Sequence, residues 1–257
     1  MSNSLLTGEA TLPEHLVPPG LTGMNEAAWC RTFNGISDSF RNEKYDVERE
    51  KRRREEFVAE HGSSLYDRDW HKNVYTTDRS LDDVTRIQGV SVDFILDLVR
   101  DKIVVDVGGG YSRLQEEISA LGVKTTIVNL DLLEAFTDSN KTTRNAVIGS
   151  AHQMPFASES VDVVLSTFGV PTHAHSSEIV EGFYNEMLRV LKVGGVALTD
   201  YTGNMNAVGD SFAGESWVRS ANMIRSMSSM PQLDVFCETM GDQLFLFKKA
   251  SFEPTIV

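Results

Sequence analysis

The chain has 257 residues, 41% of them hydrophobic and 24% charged, with a net charge of -13 at neutral pH. That length supports one large domain, or a core with a smaller accessory part. The acidic surplus argues against a nucleic-acid partner, because affinity for DNA or RNA rests on Lys and Arg neutralising phosphates.

The two cysteines, Cys30 and Cys237, are far apart and lack metal-ligand spacing, so they fit thiols of a reducing compartment better than a disulfide. No run is long enough to span a bilayer. The first twenty residues have neither the basic start nor the apolar stretch of a secretory signal. The expected location is the cytoplasm, with no membrane partner.

Residues 1–25 carry three of the seven prolines and predict an irregular arm. Ala27, Trp29, Phe33, Ile36 and Phe40 follow at near-helical spacing. The run Glu48 to Glu56 pairs opposite charges four residues apart, Glu48 with Arg52 and Glu50 with Arg54, which predicts a solvated helix. Leu65 to Thr77 is polar and aromatic, with Tyr66, Trp70, His71 and Tyr75. It either folds over a ligand pocket as a lid or packs its rings on the outside of a sheet. Ser80 to Asp83 fits a capping box with aspartate in the acidic position. Val92, Ile95, Leu96 and Val99 then mark an amphipathic helix.

Lys102 to Leu114 is the centre of the pattern. Ile103, Val104, Val105 and Val107 are β-branched and do not alternate with polar residues, which suits a parallel strand buried on both faces. The strand closes on Asp106 and breaks into Gly108, Gly109 and Gly110. A helix should follow, with Leu114, Ile118 and Leu121 on its apolar face and Gly122 at its C-terminal cap. Strand, glycine turn and helix form the first unit of an open α/β sheet, whose ligands bind at the C-terminal strand ends. Arg113 stands where a dinucleotide fingerprint needs its third glycine, and the phosphate-binding GxxxxGK[ST] is absent.

Lys124 to Asp131 is a second strand that also ends on an acid. Asp131 is placed either to accept bonds from ribose hydroxyls or to serve as a helix cap or turn residue. Ala146 to Gly149 is a short third strand, followed by Gly149-Ser150-Ala151, Pro155-Phe156, Glu159-Ser160 and Val161-Asp162-Val163-Val164. A helix from Ser177 to Leu191 should bury Ile179, Phe183, Met187, Leu188 and Leu191. Lys192-Val193-Gly194-Gly195 should then turn into the strand VALTDY. A helix with Trp217, Ala221 and Ile224 and strands at Leu233 to Cys237 and Gln243 to Phe247 complete the pattern.

The pieces Asp106-x-Gly108-x-Gly110, Gly149-Ser150-Ala151, Pro155-Phe156, Val161 to Val164 and RVLKVGG occur in one order between Lys102 and Tyr201. They resemble the class I S-adenosylmethionine-dependent methyltransferases of the small-molecule and quinone type. The resemblance implies a Rossmann-like, seven-stranded, mostly parallel sheet with helices on both faces, over residues 91–257. An N-terminal helical extension would occupy residues 1–90. It implies S-adenosylmethionine as cofactor, held by Asp106, Gly108, Gly110, Asp131, Ser150 and Ala151, with Tyr75 from the lid stretch.

In the family a carboxylate beside adenine accepts from the exocyclic amine. Ser150 holds that position here, and a hydroxyl accepts more weakly. Val193 replaces the family's usual proline, whereas Glu186 fits the family.

The loop TFGVPTHAHSSE follows the fourth strand, where the family's acceptor binds. It offers His173 and His175, either as a general base or as solvated loop residues. Asp200 and Tyr201 at the next strand end are candidates for orienting either the acceptor or the methionine part of the cofactor. His-Ala-His lacks a third nearby protein ligand, so no metal is expected.

The expected reaction is methyl transfer to a small metabolite. The alternatives are an enzyme of the same fold that cyclises the cofactor's amino-acid arm and releases methylthioadenosine, or a non-catalytic cofactor-binding protein. A homodimer is left open.

Overall fold

The computed structural model describes residues 10–16, 22–23, 79–111, 113–132, 145–167, 177–200, 222–237 and 243–252. The helices expected within 25–56, the lid stretch 65–77 and the residues Trp217 and Ala221 lie outside them.

A single 3-10 turn, Glu14–Leu16, and a two-residue strand β1, Thr22–Gly23, stand in the arm expected to be irregular. Helix α1 runs Leu81–Ile87. Its start is the expected capping box: the Asp83 amide donates to Ser80 Oγ and the Ser80 amide donates to Asp83 Oδ2, both at 3.0 Å. The Leu81 amide also donates to Glu117 Oε2 at 2.6 Å, which pins α1 to a neighbouring helix. Helix α2, Val92–Val99, is capped by Ser91. Strand β2, Ile103–Val107, leads through the glycine turn to α3, Arg113–Ala120. Then come β3, Thr126–Asp131, β4, Ala146–Ile148, and β5, Val161–Ser166. Helix α4, Ser177–Val190, passes directly into β6, Leu191–Asp200. A short helix α5 at 222–228 and strands β7, Leu233–Cys237, and β8, Gln243–Lys248, follow.

The sheet order is β1-β7-β8-β6-β5-β2-β3-β4. Strands β2 to β6 pair in parallel, and β8 runs antiparallel to both β6 and β7. The seven expected strands are thus present, and β1 adds an eighth by pairing antiparallel with β7 at the edge. Because successive residues of β2 point to opposite faces, its apolar run feeds two cores. Val105 and Val107 pack with Phe183, Tyr184 and Met187 of α4 and with Met223, Ile224 and Met227 of α5. Val104 packs on the other face with Leu81, Val84, Ile95, Leu98, Leu114 and Ile118 from α1, α2 and α3.

Two local expectations are corrected. Leu121 is exposed rather than buried, because α3 ends at Ala120 and the chain turns through Gly122 at φ +74°. Leu191 belongs to the strand and not to the helix. It pairs with Val161, after which the register jumps to Val163 with Val196, so residues 192–195 loop out within β6. Gly194 takes φ +82° there, and a Cβ on Gly195 would lie 2.9 Å from the Lys192 carbonyl oxygen.

The chain moves outward from β2 to β3 and β4, then returns to start the other half at β5. The two halves part between β2 and β5, and in open α/β sheets that division opens a crevice at the C-terminal strand ends.

Candidate active site

The turn after β2 is built by three glycines with different tasks. Gly108 and Gly110 have φ of +77° and +59°, the left-handed region that other residues rarely adopt. Gly109 is required for space: a Cβ there would lie 2.6 Å from both Asp106 Oδ2 and Asn129 Oδ1. The turn therefore presents backbone rather than side chains to the crevice.

Asp131, at the end of β3, points back to this turn. Its Oδ2 accepts from the Gly110 amide at 3.2 Å and its Oδ1 from the Leu132 amide at 2.8 Å. Its carbonyl oxygen accepts from the Gly149 amide at 3.0 Å, which ties the end of β4 to the same point. Asp106, Gly108, Gly110 and Asp131 are thus brought together.

The two acids share a low-dielectric setting. Burial pushes the Asp106 carboxyl up to about 7, and the nearby Asp131 charge adds to the rise. Burial also raises Asp131, against the pull of its two backbone donors. The Arg79 guanidinium, at the entrance to α1, draws both carboxyls downward.

Across the division, the turn after α1 reaches the end of β5. Gln88 Nε2 donates to the Ser166 carbonyl oxygen at 3.1 Å and approaches Thr167 Oγ1 at 3.2 Å. Gly89, at φ +59°, lies so close to Gln243 that a Cβ would meet Nε2 at 2.6 Å, and that same Nε2 donates to the Ile87 carbonyl oxygen at 3.2 Å. The turn is therefore fixed against the start of β8.

Beyond β4, Ser150 Oγ lies 2.6 Å from His152 Nδ1, and the Gln153 amide donates to the Ser150 carbonyl oxygen at 3.1 Å. Ala151 packs half-buried against the core beneath α4. Helix α4 comes close at Gly182, where a Cβ would meet His152 Cβ at 2.6 Å. Glu186 and Arg189 hold the remainder of this connection. Glu186 Oε2 accepts from the Met154 amide at 2.7 Å, and Arg189 donates to the carbonyl oxygens of Met154 at 3.0 Å and Phe156 at 2.9 Å. The two side chains also pair directly at 2.6 Å.

Asp200 ends β6 in register with Gln243. Tyr75, His173, His175 and Tyr201 lie outside the described residues. Among the described residues, no three His, Cys, Asp or Glu side chains gather as a metal site, and no helix is long and apolar enough to cross a membrane.

Sequence reasoning missed Arg79, Gln88 and His152. Arg79 precedes a recognisable cap, and Gln88 sits before a glycine between two apolar helices. Neither is part of a spacing pattern, so only the fold brings them to the crevice. His152 directly follows the Ser150-Ala151 pair, and its neighbourhood was the one available signal.

Residues 105–199 match the family described as the methyltransferase domain. That span includes the end of β2, the glycine turn, Asp131, the Ser150 connection and most of β6. No curated protein matches the chain. Among solved structures, it is similar to a Methanococcus maripaludis protein assigned as an S-adenosyl-L-methionine-dependent methyltransferase, at 17% identity and a TM-score of 0.45, over 74% of this chain and 97% of that one. A Bacillus halodurans protein assigned as a methyltransferase is similar at 27% identity and a TM-score of 0.32, over 46% of this chain and 50% of that one. A chain from the Haloferax volcanii complex of the Trm112 methyltransferase activator with its assigned methyltransferase is similar at 17% identity and a TM-score of 0.43, over 73% and 99%.

Proposed function

We propose that this protein, whose residues 105–199 match the methyltransferase domain family, is a class I S-adenosylmethionine-dependent methyltransferase that methylates a small-molecule acceptor. One observation carries the reading: Asp131 is hydrogen-bonded to the glycine turn beside Asp106, at the division of the sheet. The residues present fit S-adenosylmethionine. Gly109 leaves no room for a side chain, so backbone can approach a ligand. Asp131 uses one backbone donor on each oxygen and keeps lone pairs for two ribose hydroxyls.

Ser150 and Ala151 serve the adenine edge. When the Ser150 hydroxyl donates to His152 Nδ1, its lone pairs are left for an amine. Gly108, Gly110 and Asp106 border the amino-acid portion, and Tyr75 is the proposed contact from the stretch 65–77. The bound cofactor supplies a methyl carbon on a positively charged sulfur, open to in-line displacement. The chain's own contribution is to hold the acceptor in line and exclude water, which accounts for most of the acceleration in such a reaction. His173 and His175, which follow Thr167 in the sequence, are the proposed bases for the acceptor's proton. Asp200 and Tyr201 orient the acceptor. The net charge of -13 supports a small acceptor over a polyphosphate.

Incubation of the purified protein with S-adenosylmethionine alone, followed by mass spectrometry of the nucleosides, tests the reaction type. Intact cofactor is expected, with S-adenosylhomocysteine forming once a matching amine, phenol or carbon acid is added. Methylthioadenosine formed without any acceptor would overturn methyl transfer in favour of cyclisation. Asp131→Ala should lose measurable cofactor binding by calorimetry.

A further inference from the structure

Gln88 is 1% exposed, yet its Oε1 has no hydrogen-bond partner among the described residues. Its other polar atom is committed to Ser166 and Thr167 at the end of β5. A buried amide oxygen without a partner is costly, and native structures rarely keep one without a reason.

Its place in the crevice follows from the register. Asp106 of β2 lies beside Leu165 of β5. Asp106 is two residues from Val104, and Thr167 two from Leu165. Val104 and Leu165 both pack against the α1–α3 side of the sheet, so Asp106 and Thr167 belong to that side as well. Gln88 comes from the same side and meets Thr167 one step beyond Asp106. Asp106, the glycine turn and this carboxamide therefore line the division between β2 and β5, with Asp131 one strand further along at the end of β3.

A ligand with its ring at the end of β4 and its ribose at Asp131 extends across the strand ends toward β2 and β5. What remains at that end of S-adenosylmethionine is a free amino acid. We infer that Gln88 Oε1 accepts a hydrogen bond from the α-ammonium of the cofactor's amino-acid end, making the α1–α2 turn one wall of the cofactor site. This rests on the cofactor reading above. The choice of ammonium over carboxylate follows from the charges. Oε1 can only accept, and Asp106 on the same side repels an anion and attracts a cation. Burial opposes the charge on Asp106, raising its carboxyl to about 7, and a cation beside it would favour the ionised form again.

The test is calorimetric binding of S-adenosylhomocysteine and of its desamino analogue to the purified protein, with circular dichroism to confirm folding. Gln88→Met keeps the length and removes both the acceptor and the Nε2 donor to Ser166 and Thr167, and the loss of that donor falls on both ligands alike. It should weaken S-adenosylhomocysteine about tenfold or more beyond any change in the analogue, the usual range for a hydrogen bond to a charged group. Gln88→Glu keeps an acceptor and adds charge, so it should widen the preference for the ammonium-bearing ligand. Equal weakening of both ligands in Gln88→Met would assign Gln88 a structural role and overturn the inference. An unchanged preference in Gln88→Glu would overturn it too, even if the methionine variant does not fold. A wild-type protein that binds neither ligand would overturn the cofactor reading itself, an outcome distinct from the others.

Discussion

Asp106 is 7% exposed and its carboxyl is pushed up to about 7, while an unfolded aspartate titrates near 4. Between those values the folded protein holds a proton that the unfolded chain has released, so stability falls as pH rises from about 4 through about 7. The full effect is about 4 kcal/mol at 1.36 kcal/mol per pH unit. Urea unfolding of the cofactor-free protein at pH 5 and pH 8 should show the wild type less stable at pH 8. Asp106→Asn should remove most of that difference and weaken cofactor binding. This residue was legible in the sequence because an acid closing an apolar strand before GxG is a local pattern. Gln88 was not, because a single polar residue in a turn gains its meaning only from Ser166 and Thr167, nearly eighty positions away.

At the scale of elements, the connection from Ser150 to Phe156 depends on α4. With Glu186 removed, the Met154 amide and the Arg189 guanidinium both lose a close partner. Glu186→Ala should cost about 2 kcal/mol and speed hydrogen exchange of the Met154 amide, measured on peptides spanning 150–158. Weaker cofactor binding should follow, since Ser150 and Ala151 head the same connection. Lys248 secures the opposite end of the sheet. Its buried ammonium donates to the carbonyl oxygens of Leu188 and Leu191 and pairs with Glu159, tying the end of α4 to β8. Elements such as β2 and β5 were readable because burial on both faces selects largely apolar runs. The start of β6 was misplaced because a strand interrupted by a looped-out glycine stretch looks, in sequence, like a helix followed by a turn.

At the scale of the molecule, the edge of the sheet depends on its most distant partners. Thr22 and Gly23 pair with Cys237 and Phe236, and the Ala10 amide donates to the Lys249 carbonyl oxygen at 2.9 Å. Nothing in the residues near position 22 announces that pairing, since its partner lies at the other end of the chain. An uncovered strand edge invites pairing with another molecule. Deleting residues 1–23 should therefore raise self-association, read as a larger mass by light scattering, while the sheet signal in circular dichroism persists. The same pairing also sets the order of events during synthesis. Strand β1 has no partner until some two hundred further residues are made, a wait of roughly ten to forty seconds at cellular rates of about 5–20 residues per second. Strand β1 is thus made long before it can pair, so a bulky insertion beside it would act on a late step of folding rather than on an early one.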